Sequence, residues 1–192
     1  LKVHTVENVP IIDSLTHPMP NGNWIHERYN GKNSVERLLL EMRENNIICA
    51  LAVGMGDRIG GYQENSYASF IKSKTSKLLP VAYIDVDSYR GLSNPDILVR
   101  LREIVEMGYV GIKLHPRFGN FTYTDEIVKI IIIVAASLDL TVLLCTYCWE
   151  DSERAHLNTS DSLMHLMHNI DGAKIILIHG GGVRLLEHIE IA

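Results

Sequence analysis

The chain has 192 residues, of which 46% are hydrophobic, and it carries a formal net charge of −5 at pH 7. This length and apolar content predict one domain with a sizeable core, spanning residues 1-192. The acidic balance, without a Lys/Arg cluster, argues against a nucleic-acid partner. The longest apolar stretch, around Ile130–Ala136, is far shorter than the ~20 residues that a membrane helix needs, and no signal-peptide pattern is visible.

The three cysteines do not make a disulfide framework, because Cys145 and Cys148 are close neighbours and Cys49 lies in an apolar run. We therefore expect a reducing, cytoplasmic location. The expected partner is a small-molecule substrate, and association into a homo-oligomer is left open. The chain does not begin with Met, and Leu185–Ala192 reads as a helix without a stop signal, so we expect a domain truncated at the C-terminus.

Six apolar runs recur at intervals of roughly 30 residues, which is the length of a strand-plus-helix unit. Nearly continuous apolar runs are typical of parallel strands that are buried on both faces. We therefore predict six parallel strands within these runs. The runs are Val9–His17, Ile47–Met55, Leu79–Asp87, Tyr109–Pro116, Thr141–Tyr147 and Ala173–Gly180.

The segments between the runs carry helix signals. Asn33 is a candidate N-cap with Glu36 three residues later, and Asn94 before Pro95 makes a second N-cap and N1 pair. The predicted helices are Val35–Asn45, Gln63–Ser76, a helix from Asn94-Pro95 closed by Gly108, Ile127–Leu138, Ser162–Asn169 and Val183–Ala192.

Two architectures fit six such units: an open doubly wound sheet, and a (β/α)8 barrel with about six units present. A nucleotide-binding doubly wound sheet should carry G-x-G-x-x-G after its first strand, but Asp13–Pro18 contains no glycine. His, Lys and Asp at strand ends fit the mouth of a barrel better. The predicted fold class is therefore α/β, a (β/α)8 TIM barrel whose C-terminal units are missing.

Most of the runs end in a residue that can bind a metal or move a proton. In parallel α/β folds the carboxyl ends of the strands form one mouth, so these groups are expected to converge. A divalent metal site needs three or four N, O or S donors with one position open for water. His17, Cys145 and His179 supply such donors, with His115 or an unseen Asp to complete the set. A hydrogen-bonded structural role for each histidine is the alternative.

Four segments resemble the amidohydrolase-related family (amidohydrolase family 2), and together they span nearly the whole chain. They are I-I-D-S-L-T-H-P at 11–18, S-V-E-R-L-L-L-E-M at 34–42, G-Y-V-G-I-K-L-H-P at 108–116 and K-I-I-L-I-H-G-G-G at 174–182. The resemblance implies a metal-assisted barrel of the amidohydrolase superfamily, whose members include hydrolases, lactonases and decarboxylases.

The resemblance also implies roles for individual residues and reveals two departures. His17 matches the second histidine of the family's first-strand His-x-His motif, whereas Leu15 stands at the position of the first. Cys145 stands where the fifth strand usually ends in a ligand histidine, and a thiolate is an accepted zinc ligand. His179 matches a histidine that contacts substrate or metal-bound water. Lys113 matches a position that is a carbamylated bridging ligand in some branches, and here we expect it to bind a substrate anion or to be structural.

These observations predict a metal-dependent hydrolase that cleaves a C–N or C–O bond in a small polar, anionic metabolite. The expected metal is divalent, with zinc first, and its ligands are His17, Cys145 and His179. His179 and Lys113 are the expected catalytic residues, and Lys113 with His115 is expected to hold the substrate. The alternatives are a metal-independent lactonase or decarboxylase on the same barrel, and an inactive barrel with a binding role.

Five further features each have a functional and a structural interpretation. Cys145–Cys148 matches a redox C-x-x-C, although the helix start that such a pair needs is weak there, and His165 with His168 is either a metal pair or part of a solvated helix face. Asp85 and Asp87 are either acid/base groups or turn caps, and His26 with Arg28 either contacts an anion or is ordinary surface polarity. Gly180–Gly182 either binds a phosphate or forms a tight turn.

Overall fold

The computed structural model describes residues 9–23, 27–55, 64–146 and 157–180. Within these residues six strands alternate with helices along the chain. The strands are β1 (Ile11–Thr16), β2 (Ile47–Val53), β3 (Leu78–Tyr83), β4 (Gly111–Leu114), β5 (Thr141–Cys145) and β6 (Ile175–Ile178). The helices are α1 (Val35–Glu44), α2 (Glu64–Lys74), α3 (Asn94–Glu106), α4 (Pro116–Gly119), α5 (Glu126–Ser137) and α6 (Ser160–Met167), with short 3-10 turns at Glu27–Tyr29 and Val86–Tyr89.

The strands form one parallel sheet in which each strand pairs with the next along the chain, in the order β1-β2-β3-β4-β5-β6. An open doubly wound sheet reverses its strand order at a switch point, and this sheet has no reversal. The doubly wound alternative is therefore wrong. The prediction of a parallel α/β architecture in which six strands alternate with helices is confirmed.

Two separate apolar clusters show how the two faces of the sheet are used. The larger cluster joins strand residues such as Ile112 and Leu114 to the helices. The smaller one contains strand residues alone: Val53, Val81, Leu143, Cys145 and Ile178, with Leu15, Leu51 and Ile176 packed against it. One face of the sheet is thus covered by helices, and the other packs on itself. This arrangement is that of a β/α barrel, whose interior is filled by side chains from its own strands.

The inner face of β4 carries a charged residue where the other strands contribute apolar ones. Ile112 and Leu114 both belong to the larger cluster, on the face that the helices cover. Successive side chains of a strand point to opposite faces. Lys113 therefore points to the inner face. Gly111 precedes it at the start of β4, where a Cβ atom would lie 2.5 Å from the backbone oxygen of Thr141. The close approach of β4 to β5 thus requires glycine at position 111.

The helix caps differ by one residue from those predicted. Ser34, and not Asn33, caps α1 and accepts a hydrogen bond from the backbone N–H of Arg37 at 3.1 Å. Ser93, and not Asn94, caps α3, while Pro95 lies in its first turn. Runs of adjacent Ser and Asn residues explain the errors, because both types are good caps and only the local backbone decides between them.

Other boundaries agree more closely with the prediction. Gly108 adopts a φ of +86° directly after the C-cap of α3, as expected for a glycine that ends a helix. Helix α6 is capped by Thr159 and begins earlier than predicted. The proposed helix Val183–Ala192 lies outside the described residues. No helix in the described part of the chain is both long enough and apolar enough to cross a membrane.

Candidate active site

The ends of β1 and β4 bring His17 and Lys113 into contact. His17 follows β1 directly, and its Nδ1 lies 3.0 Å from the backbone oxygen of Val53. Because a carbonyl oxygen can only accept, Nδ1 carries the proton and donates it to Val53. The Nε2 atom is then the unprotonated nitrogen, and it accepts a hydrogen bond from the Lys113 Nζ at 3.2 Å. The two side chains thus form a single, oriented pair.

Lys113 is a buried cation without a described counter-ion. Its residue is 2% exposed, and no carboxylate among the described residues forms an ion pair with it. Burial lowers the pKa of Lys113 to about 8, and the nearby Cys145 acts in the opposite direction. The side chain is therefore mostly charged at pH 7. A buried charge of this kind is costly unless an opposite charge approaches it.

Two histidines whose pKa values are lowered in part by this cation, His17 and His115, are neutral at pH 7. Burial, and secondarily the charge of Lys113, lowers the pKa of His17 to about 3. The same two causes, together with Arg117, lower the pKa of His115 to about 3. Neutral imidazoles have one lone pair and one N–H, so each ring can accept one hydrogen bond and donate another.

A second group of contacts surrounds the Cys145 thiol at the end of β5. Its Sγ lies 3.1 Å from Nδ1 of His179 and 3.6 Å from Nε2 of His115. Cys145 is fully buried and belongs to the inner apolar cluster, whereas His179 is exposed. The structure therefore brings two of the predicted site residues, His115 and His179, into contact with a third, Cys145.

His179 has an unusual backbone conformation. Its φ is +72°, in the left-handed region that residues with a Cβ rarely adopt. This conformation follows directly after β6, where the ring lies within 3.1 Å of the Cys145 Sγ. Although the residue as a whole is exposed, partial desolvation of its ring lowers the pKa of His179, as do the charges of Lys113 and Arg117. Strained backbone of this kind occurs preferentially at functional sites.

A row of side chains continues from His115 along α4. The ring of Phe118 packs 4.4 Å from the His115 ring, and the guanidinium of Arg117 lies 4.4 Å above the Phe118 ring. The Nδ1 atom of His115 is buried and has no hydrogen-bond partner among the described residues. Arg117 and Phe118 were not predicted as site residues, because neither belongs to the motifs at the strand ends. Two residue types could have indicated this turn: Pro116 in its first position, and Asn120 at its C-cap, where φ is +48°.

The donors in the described residues do not by themselves complete the expected metal site. They fall into two groups, His17 with Lys113 and Cys145 with the other two histidines. No three His, Cys, Asp or Glu side chains in the described ranges are grouped so that they could hold a metal ion. Leu15, at the position of the first motif histidine, packs against the inner apolar cluster. Metal binding thus stays a prediction that needs donors beyond these residues.

The weaker candidates lie elsewhere or outside the described residues. Asp87 forms an ion pair with Arg90 at 2.8 Å, and Asp85 caps the same 3-10 turn without a side-chain cap bond. His165 is exposed on α6, and His168 is exposed at its C-cap, where the His168 Nδ1 lies 2.9 Å from the Met164 carbonyl oxygen. Cys148, His26, Gly181 and Gly182 lie outside the described residues.

A small cavity opens beside His17, between the end of β1 and the start of α1. Its volume is about 90 Å³, which suffices for a few water molecules or one small polar group. Of the site residues described above, which are His17, Lys113, His115, Cys145 and His179, the cavity is lined by His17. The lining residues are Thr16, His17, Pro18, Lys32, Asn33, Ser34, Leu38 and Glu41.

Hydrogen bonds from a neighbouring segment hold the end of β5 in place. The Tyr123 hydroxyl donates to the backbone oxygen of Cys145 at 2.9 Å, and the buried Asn158 side chain accepts from the Tyr123 backbone N–H at 2.8 Å. The Thr146 hydroxyl donates to the backbone oxygen of Ile178 at 2.8 Å. These contacts fix the Cys145 backbone relative to β6, and they were not predictable from the motifs.

Fold and site together define the class: a parallel β/α-barrel protein with a cationic, histidine-rich cluster at the carboxyl ends of its strands. The structure is similar to that of an uncharacterized TIM-barrel protein, Bb4693 from Bordetella bronchiseptica, with a TM-score of 0.75 at 17% identity. The match covers 96% of this chain and 72% of that one. At this identity the likeness shows the fold alone, and it supports the TIM-barrel prediction.

A weaker likeness links the chain to ATU3138 from Agrobacterium tumefaciens in its apo form. The TM-score is 0.48 at 12% identity, over 86% of this chain and 66% of that one, which is too low to carry an argument. No family model matches the sequence, and no curated protein matches it either. The amidohydrolase type therefore stays a prediction that rests on the sequence motifs.

Proposed function

We propose that the protein is a small-molecule hydrolase of amidohydrolase type, which cleaves a C–N or C–O bond in a polar, anionic metabolite. The observation that carries the proposal is the convergence of His17, Lys113, His115, Cys145 and His179 at the carboxyl ends of four strands. In barrels of this architecture that end of the strands carries the active site.

The electrostatics of the cluster favour an anionic substrate. Lys113 is buried and charged, and the charge of Arg117 also acts on two of the histidines. Among the described residues, no carboxylate is paired with Lys113. The anionic group of the substrate would therefore bind to Lys113, with His115 beside it.

The exposed histidine at the rim is suited to move a proton. His179 has a lowered pKa and is therefore largely unprotonated at pH 7, so it can accept a proton from an attacking water molecule. In the bond cleavage, the water oxygen adds to the carbonyl carbon, His179 takes its proton, and the same proton passes to the leaving oxygen or nitrogen. The thiol of Cys145, which contacts the same ring, would orient it.

Metal-dependent hydrolysis is the alternative within the same class, and one contact favours it. Metal-bound histidines usually donate their second ring N–H to a backbone carbonyl or a carboxylate, as His17 donates to Val53. A divalent metal would supply a water molecule of lowered pKa. We derive no step from it, because the described donors do not complete a ligand set.

The test is a panel of lactones, esters and amides of small carboxylic acids with the full-length protein, assayed by proton release for the lactones and esters and by amine formation for the amides. We expect turnover that falls about 100-fold or more in His179→Ala, the usual size of a general-base effect. His165→Ala is the matched control, since His165 is exposed on α6, and it should leave turnover unchanged.

Three results would count against this assignment or redirect it. Equal turnover in His179→Ala and in the control would contradict the role of His179. Loss of turnover on chelation would favour the metal-dependent alternative. The absence of turnover on the whole panel, with ligand binding unaffected by His17→Ala and His179→Ala, would favour a non-catalytic binding role.

A further inference from the structure

We propose that the Lys113 ammonium occupies the position on His17 where a metal ion would bind, and that it binds a carboxylate there as the built-in cation of the site. This inference deepens the proposed function, on which it rests for the anionic class of the substrate. In this arrangement the positive charge that a metal ion would supply beside His17 comes from the Lys113 side chain.

The first argument is the single lone pair of His17. The Nδ1–H is held by the Val53 carbonyl at 3.0 Å, so Nε2 has the one lone pair available. Lys113 Nζ lies 3.2 Å from Nε2 and donates to it. A zinc ion would lie ~2.1 Å from the same nitrogen, on the same lone pair. The hydrogen bond and the metal bond therefore exclude each other.

The second argument is that the described residues supply an identified hydrogen-bond partner for only one of the three N–H donors of the buried Lys113. An ammonium group has three N–H donors, and within the described part of the chain His17 is the partner of one of them. The residue is 2% exposed, so bulk water does not readily serve the other two. A buried donor without a partner is unfavourable, and an anionic ligand would satisfy both donors and the charge.

The third argument is the character of the surrounding groups. The strands on both sides of β4 offer Tyr83 and Leu143 at the register positions of Lys113, and neither residue is a carboxylate that could pair with it. Among the groups that interact with Lys113 are His17, whose Nε2 lies 3.2 Å away, and Cys145 from β5, and neither is a carboxylate. The described surroundings hold Lys113 in place without neutralising it, which leaves its charge for a ligand.

The first test is the metal content of the full-length protein, measured by mass spectrometry of the elements after purification without chelators and after dialysis against Zn²⁺ and Mn²⁺. We expect much less than one metal ion per chain in both samples. In the same protein, the nitrogen NMR shifts of the His17 ring should show a protonated Nδ1 and an unprotonated Nε2 with no metal bound. One tightly held metal ion per chain, with His17 Nε2 as a ligand, would overturn the inference.

The second test is a titration with acetate as the carboxylate probe, followed by the NMR shifts of the same ring. We expect the apparent affinity to fall about 10-fold or more in Lys113→Met, the loss expected for a charge-assisted hydrogen bond. Lys77→Met removes an exposed lysine and should bind acetate as the unchanged protein does. Equal acetate affinity in Lys113→Met and the unchanged protein would overturn the inference.

The two proposals can fail separately. Turnover that requires a bound metal would overturn this inference and leave hydrolysis standing. Acetate binding at Lys113 in a protein that hydrolyses nothing on the panel would support this inference while the proposed reaction fails. Should Lys113→Met not fold, the metal content and the His17 ring shifts of the unchanged protein still decide the matter.

Discussion

The backbone of His179 combines a site side chain with a conformation that disfavours any side chain. For a residue with a Cβ, the left-handed region costs roughly 1–2 kcal/mol relative to the right-handed one. Here that conformation accompanies a contact of 3.1 Å between the ring and the Cys145 thiol. The nearest glycine in the sequence, Gly180, comes one residue later, so the unfavourable conformation at position 179 falls on a residue with a Cβ.

This strain gives a prediction at the scale of one residue. We expect His179→Gly to be more stable than His179→Ala by about 1 kcal/mol, because glycine adopts a φ of +72° without a Cβ penalty. Both variants lack the imidazole, so the comparison isolates the backbone. Urea unfolding of the two proteins measures the difference, and an alanine variant of equal or greater stability would contradict it.

The positions of the site residues could be predicted from the sequence, but their contacts could not. His17, Lys113 and Cys145 were expected near one another because each follows or ends a parallel strand. The hydrogen bond between His17 and Lys113 depends on which ring nitrogen faces the lysine, which the Val53 carbonyl decides. A contact to a backbone atom on another strand leaves no signal in residue type or spacing.

At the scale of elements, the close pairing of β4 with β5 depends on the absence of a side chain at Gly111. A Cβ at position 111 would lie 2.5 Å from the Thr141 backbone oxygen, and backbone cannot swing aside as a side chain can. We expect Gly111→Ala to lower the free energy of unfolding by about 1–3 kcal/mol, the usual cost of overpacking. It should also disturb Lys113, two residues further along the strand.

Gly54→Ala is the matched control for this prediction. A Cβ at position 54 would make contacts no closer than 3.5 Å, which is ordinary van der Waals distance. Its effect on the free energy of unfolding should therefore be small. Denaturant unfolding of both variants gives the comparison, and similar losses at the two sites would argue against the close approach at Gly111.

The start of α1 gives a second prediction at this scale. The Ser34 hydroxyl accepts from the Arg37 N–H, so Ser34→Ala should cost about 1 kcal/mol of stability. Asn33→Ala should cost less, because the Asn33 side chain does not cap the helix in this structure. Thermal unfolding of the two variants checks the order. The reverse order would indicate that Asn33 caps the helix, as the sequence pattern predicted.

The strands were predictable because buried parallel strands are apolar along their whole length. The runs extended beyond the observed strands, as Leu79–Asp87 does beyond β3 at Leu78–Tyr83. Apolar residues such as Ile84 and Val86 continue past the strand because they are buried against the helices. Burial and strand pairing are thus separate properties, and hydropathy reports burial alone.

For the whole molecule, the buried histidines predict a stability that depends on pH. The pKa of His115 is about 3 in the folded protein and near 6.5 when the chain unfolds, so the unfolded chain binds more protons between these values. The stability contribution is therefore complete above pH 6.5 and is lost as the pH falls toward 3. His17 has a similarly lowered pKa and adds to the effect.

We expect each of these histidines to contribute up to about 1.4 kcal/mol of lost stability per pH unit below 6. His115→Leu keeps the site apolar and removes one titrating group, so its free energy of unfolding should fall less steeply between pH 6 and pH 4. Denaturant unfolding at a series of pH values gives both slopes. Parallel curves for the variant and the unchanged protein would contradict the burial of a neutral His115.

The consecutive order of the strands also bears on how the chain is made. Within the described residues, each strand from β2 to β6 pairs with the strand that precedes it by roughly 30 residues, so each of these pairings can form as soon as the later strand has been made. At ribosomal rates, one unit emerges about every 2–6 s, which is far longer than helix or hairpin formation takes. The sheet can thus grow during synthesis by the addition of strands at one edge, and Lys113 on β4 is made after both His17 and β3.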